Sequence, residues 1–220
     1  MAIRTYLLAF VLCAVSPLMS QERSIYFSGG DGYSDLFRVD LDRTVSRLTT
    51  RESRGEYQPQ VSPDARLIVF NTYRYGGWKL AIAELENGDI KSGSIKKLLS
   101  NSKGYEYDAD WSADGQSIVF VGFTNGRSGY RQIFITDVQG KKVRQLTSNG
   151  HNHYAPHFSH DGKSIYYQIN IDGIYAIERL IIESGKTEPV CNSKDWHAIA
   201  PSLSSNGSLL AFQKYMMTSL

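Results

Sequence analysis

Four of the chain's five histidines, His151, His153, His157 and His160, crowd into one block of ten residues. Imidazoles this dense can bind zinc, manganese or copper. Spacing argues against a shared ion. His153 and His157 share strand parity but stand about 13 Å apart at ~3.3 Å per extended residue, and His160 belongs to a turn. Polar loop residues are therefore the expected reading, with no metal and no cofactor; His151, His153 and His157 are the alternative ligand set. Asp64, Asp114, Asp161 and Asn206 form a second constellation. Each follows a serine by two residues, and Asp or Asn there bonds its own backbone, so turn chemistry explains them better than catalysis. A serine nucleophile would need Gly-x-Ser-x-Gly at a strand-to-helix elbow. The nearest string, Gly32-Tyr33-Ser34-Asp35-Leu36, lacks the second glycine. No catalytic residue is expected.

The elements that carry these residues repeat. Tyr57–Phe70 (YQPQVSPDARLIVF), Tyr107–Phe120 (YDADWSADGQSIVF), the stretch from Tyr154 to Tyr167 (YAPHFSHDGKSIYY) and Ile199–Phe212 (IAPSLSSNGSLLAF) are four versions of one sentence. Each reads strand, tight turn, strand, with turn serines at Ser62, Ser112, Ser159 and Ser204. A period of roughly 45–50 residues with about four strands per unit means a β-propeller blade. The expected fold is all-β, with three complete and two partial four-stranded antiparallel blades near 24–50, 56–100, 106–148, 153–192 and 198–220. The first lacks its innermost strand. The last stops after two strands, which suggests a longer ring cut short, since about six blades would need roughly 270–300 residues. Leu67-Ile68-Val69-Phe70 is a continuous apolar run, as expected of a strand covered on both faces.

Six residues before each turn serine stand Glu56, Glu106, His153 and Ala198, with Trp196 and His197 beside the last. Innermost strands begin at one mouth of a propeller's channel. Glu56, Glu106, His153, Trp196 and His197 are therefore candidate ligand-binding residues, with Tyr57, Tyr107 and Tyr154 as aromatic walls. Such a funnel suits a peptide, a sugar or a cation.

The units resemble the WD40-like propeller repeats of the periplasmic protein TolB. The likeness rests on Ser62-Pro63-Asp64, Ser112-Ala113-Asp114-Gly115 and Ser159-His160-Asp161-Gly162, each before an apolar strand. It also rests on Asp35–Asp40 with Arg47-Leu48-Thr49, and on Gln132–Asp137 with Arg144-Gln145-Leu146-Thr147. It spans nearly all of Ser24–Gln213. It implies an exported, non-enzymatic scaffold that binds a protein or peptide. Two departures from the TolB pattern are expected: the repeats begin directly after the expected signal peptide instead of after a TolB-type N-terminal domain, and the last unit is incomplete and carries Asn206 for Asp. Such repeats also form the non-catalytic propeller of prolyl-oligopeptidase-like peptidases, and oligogalacturonate lyases, where histidines hold a metal. The alternative function is thus a metal-dependent lyase of that kind or a fragment of one, although no clear Gln-x-x-His-x-His string is present. A truncated, non-functional derivative is the third reading.

Arg4 followed by the apolar stretch Tyr6–Val15 and Ser20 reads as a signal peptide, residues 1–20, cut near Ser20/Gln21. Ten apolar residues are too few to span a bilayer. The alternatives are a buried N-terminal element or a lipoprotein signal at Cys13. The mature chain is then periplasmic or secreted, is not membrane-spanning, and keeps Cys191 alone without an intrachain disulfide. Lys+Arg 24 against Asp+Glu 22 leaves no basic surplus to favour nucleic acid. Apolar open edges on the two partial blades make edge-mediated self-association an expectation.

Overall fold

The computed structural model describes residues 24–30, 33–50, 55–125 and 128–216. The expected signal peptide lies outside them. Every regular element among the described residues is a strand. The first sheet runs β1 (Ile25–Gly29), β2 (Asp35–Val39), β3 (Val45–Arg47). The second holds β4 (Glu56–Val61), β5 (Leu67–Thr72) and β6 (Lys79–Glu86), with β7 (Asp89–Ile90) and β8 (Lys96–Lys97) both pairing with β6. The third is β9 (Glu106–Trp111), β10 (Ser117–Asn125), β11 (Ser128–Asp137), β12 (Arg144–Gln145). The fourth is β13 (Asn152–Phe158), β14 (Ser164–Ile171), β15 (Ile174–Ile181), β16 (Thr187–Cys191). The fifth pairs β17 (Trp196–Leu203) with β18 (Leu210–Met216). All pairings are antiparallel. This is the propeller arrangement the repeats predict.

The sheets pack in chain order: β1 and β2 on β4, β4 to β6 on β9, β9 to β11 on β13, and β13 to β15 on β17. The first strands β4, β9, β13 and β17 line up as neighbours, which makes them the inner strands. Period-two alternation explains the apolar runs. Ile68 and Phe70 enter the core shared with Tyr26 and Leu36 of the first sheet, while Val69 enters the one shared with Trp111 and Ile118 of the third. Ile118 and Phe120 face the second sheet, and Val119 meets Ile165 and Tyr167 of the fourth. Both faces of β5 and β10 are buried, so neither strand can alternate with polar residues. β18 differs: among the described residues Phe212, Tyr215 and Met216 are all exposed.

The turn serines and acids form one repeated device. Ser112 Oγ donates to Asp114 Oδ1 at 2.6 Å, the Gln116 N–H donates to the same oxygen, and Ser112 Oγ accepts the Ser117 N–H. Ser62 with Asp64 and Ser159 with Asp161 repeat it, and Asn206 Oδ1 serves Ser204 and Ser208 in the same way. These bonds, led by the serine hydroxyl, hold the Asp114 and Asp161 carboxyls below the usual range. Threonines after β3 and β12 form a second device: Thr49 Oγ1 accepts the Leu36 N–H and Thr147 Oγ1 the Ile133 N–H.

Candidate functional site

Each inner strand carries the same irregularity. Pairing slips between Tyr57 and Gln60, Tyr107 and Asp110, Tyr154 and His157, and Ile199 and Ser202. At each slip a non-glycine residue takes a left-handed backbone: Gln58 (φ 52°), Asp108 (50°), Ala155 (44°) and Ala200 (51°). Such a conformation costs about 1–2 kcal/mol per residue, and strain of this kind concentrates where function needs a particular shape. Prolines 59, 156 and 201 follow three of these residues. Proline offers no N–H to a ladder, so a bulge on an inner edge strand tolerates it. Side chains of neighbouring blades tie the bulges together. Asp108 accepts from Gln58 Nε2 at 2.9 Å and from the Ala155 N–H at 3.1 Å, and Gln168 Oε1 accepts the Ala200 N–H at 3.0 Å.

The bulges correct the sequence-based site. Glu56, Glu106, His153 and Ala198 are all buried, at 0%, 1%, 0% and 1% exposure. An extra residue reverses side-chain parity, so the residue six places before the turn serine is buried, and in the second, third and fourth sheets the tyrosine after it, Tyr57, Tyr107 or Tyr154, is left partly exposed at the mouth. Glu56 pairs with Arg74 and accepts from Thr72 Oγ1. Glu106 Oε1 lies 3.3 Å from Lys79 Nζ, and its Oε2 accepts the Leu80 N–H at 2.9 Å. Lys79 also donates to the carbonyls of Ser102 and Gly104, as Gln132 does to those of Asn149 and His151 one blade on. The Glu106–Lys79 pair ties the third blade to the second, whereas the Glu56–Arg74 pair holds the turn between β5 and β6 within the second blade.

His153 donates from Nδ1 to the Arg131 carbonyl at 3.0 Å and lies against Tyr167, and burial pushes its pKa down. His157 instead faces Asp110 at 3.6 Å. Burial would lower its pKa, but Asp110, with Asp108 behind it, raises it. His151, His153 and His157 therefore do not converge, and among the described residues no group of three or more His, Cys, Asp or Glu is placed to hold an ion. Half-buried Trp196 stacks on Phe212 and carries Lys214 Nζ 4.8 Å from its ring centre; His197 Nδ1 accepts the Tyr175 N–H.

At the mouth stands an arc of partly exposed rings. Trp78 touches Tyr73, Tyr57 and Tyr107; Tyr107 touches Tyr105 and Phe123. The Arg131 guanidinium sits 5.4 Å from the Phe123 ring centre and 5.0 Å from that of Tyr154, and donates to the Tyr154 hydroxyl. Tyr154 then meets Tyr175, and Tyr175 meets His197. The starts of inner strands, the ends of second strands and the starts of third strands all lie at this end, so successive blades place their aromatics side by side. A pocket of about 370 Å³ opens among Ser28, Tyr57, Gln58, Asn71, Trp78 and Tyr107. Tyr57, Tyr107 and Tyr154 were legible as walls. Trp78, which directly precedes β6, and Tyr175 and Arg131 on β15 and β11 were not, because they lie a hairpin away from the turn motif and the longer β10–β11 hairpin shifts Arg131 from the spacing that Trp78 and Tyr175 share.

Comparison with known proteins fits this geometry. The model of the family described as "TolB beta propeller domain" matches residues 88–219. Among curated relatives, the "Protein TolB homolog" of Chlorobium chlorochromatii is 26% identical over 144 residues, covering 65% of this chain and 30% of that protein. The "Tol-Pal system protein TolB" of Desulfotalea psychrophila is 28% identical over 87 residues, covering 40% and 19%. The chain thus spans less than a third of the length of either. Among solved structures, the putative TolB from Agrobacterium tumefaciens superposes with a TM-score of 0.71 at 20% identity, over 87% of this chain and 66% of that one. TolB from Acinetobacter baumannii gives 0.68 at 20% identity, over 87% and 46%. The repeated blades, the shared turns and the match over residues 88–219 place this chain in the TolB beta propeller domain family.

Proposed function

We propose that the chain is an exported, non-enzymatic scaffold that binds a protein or peptide at the aromatic mouth of its propeller. The observation that carries this reading is the arc from Tyr73 through Trp78, Tyr107 and Arg131 to Tyr175. Half-exposed tyrosine, tryptophan and arginine are the residue types that dominate binding energy in protein interfaces. They offer large contact area with little side-chain entropy to lose. Relatives named for the Tol-Pal system support a protein partner and a periplasmic site of action.

The test is selection of binders from a phage-displayed library of random linear peptides. Recovered peptides should bind the wild-type protein and lose about tenfold or more with Tyr107→Ala or Tyr154→Ala, since a central aromatic contributes at least ~2 kcal/mol. Peptides that bind equally well to both variants would place the site elsewhere. Export has its own test: the mature N-terminus should begin near Gln21 by mass spectrometry.

A further inference from the structure

Asn71 lies on the wall of the mouth pocket, only 2% exposed. Its Nδ2 donates to the Glu106 carbonyl at 2.8 Å, which fixes the orientation of the amide. The other amide atom, the acceptor Oδ1, is buried and has no partner among the described residues. The repeat shows what this position receives elsewhere. Asn71 pairs in register with Tyr57, Val121 with Tyr107, and Gln168 with Tyr154. In the fourth sheet the Gln168 oxygen accepts a backbone N–H, that of Ala200. Asn71 is one methylene shorter and has committed its donor to Glu106. The same acceptor is therefore left open in the second sheet.

The surroundings define what can approach it. Trp78 meets Tyr57 at 63° and Tyr107 at 43°, so the rings form a cup rather than a flat platform. Ser28 and Gln58 complete the wall, and among the described residues no charged side chain lines it. A charged group entering would lose water without gaining a counter-charge. We infer that this pocket receives one residue of an extended peptide, whose backbone N–H donates to Asn71 Oδ1 while its uncharged side chain sits among Tyr57, Trp78 and Tyr107. This rests on the peptide-binding reading above and adds its specificity. A neutral sugar is the weaker fit: the inclined rings offer no flat face for a pyranose, and the matching position takes a backbone N–H.

The test takes the tightest peptide from the random library and N-methylates its backbone one amide at a time. Against the wild-type chain, one methylation should weaken binding about three- to tenfold, the worth of one net hydrogen bond. Against Asn71→Val that penalty should vanish, and Val121 at the matching position shows that the fold accepts valine there. Asp or Lys at the same peptide position should also abolish binding. If the valine variant does not fold, Asn71→Gln, the fourth sheet's amide, replaces it and should remove the same penalty. Equal methylation penalties in wild type and variant would overturn this assignment while leaving peptide binding intact. Failure to recover any peptide would overturn both. Asn71-dependent binding of neutral oligosaccharides on a glycan array would overturn it in favour of a sugar.

Discussion

Ala65 occupies, with φ 57°, the turn position that Gly115, Gly162 and Gly207 fill with φ 67–69°. Its Cβ makes that conformation costly, and no neighbour compensates by type. Ala65→Gly is expected to stabilise the fold by about 1 kcal/mol, offset in part by glycine's larger unfolded-state entropy. A melt should rise by about 2–4 °C for a chain of this size; a fall would show that the alanine makes contacts the turn geometry does not reveal. His157 is a second residue with a measurable signature. Its pKa is raised in the fold, because the nearby Asp110 and Asp108 outweigh burial. Its favourable contribution is therefore complete below the ordinary histidine range and lost as pH rises through the raised value. His153, lowered by burial, has the opposite sign. The stability difference between wild type and His157→Gln should shrink from about pH 5 to about pH 8. A difference independent of pH would remove the Asp110 pairing from the account.

At the scale of the element, Trp111 shows how an inner strand joins two blades. It is 7% exposed, packs with Val69, Leu80 and Ile118, and donates from Nε1 to the Gln60 carbonyl at 3.0 Å. Trp111→Ala should destabilise by about 3–5 kcal/mol through the cavity left between sheets. A denaturant midpoint unchanged from wild type would contradict this. The strands and the turns were legible because hydrophobic period, turn serines and Asp-Gly signals recur together. The orientation of Glu56, Glu106 and His153 was not. It depends on a bulge at Gln58, Asp108 and Ala155, residues with no common type, and a single inserted residue turns a strand face over. Proline after Gln58, Ala155 and Ala200 is the one sequence signal that could have revealed it. The aromatic arc was half-legible: its inner-strand tyrosines follow the repeat, whereas Trp78 and Arg131 join it only when the third strands fold back beside them.

Across the whole molecule, successive blades share one plan and differ at the mouth. Buried Glu106–Lys79 and Glu56–Arg74 pairs brace the second and third blades, while the rings above them stay partly open. The division matters because a rigid base presents the aromatics without an ordering cost on binding. The chain has three tryptophans, and each reports a different place: Trp111 the core, Trp196 the last sheet, Trp78 the mouth. The most direct test of a peptide-binding mouth uses Trp111→Phe with Trp196→Tyr, which leaves Trp78 as the sole indole; Phe158 already fills the Trp111 slot in the fourth sheet. Adding a library-selected peptide at saturating concentration should shift or quench the Trp78 emission, with a midpoint equal to the affinity measured by calorimetry. Peptide binding by calorimetry with Trp78 emission unchanged would contradict the account.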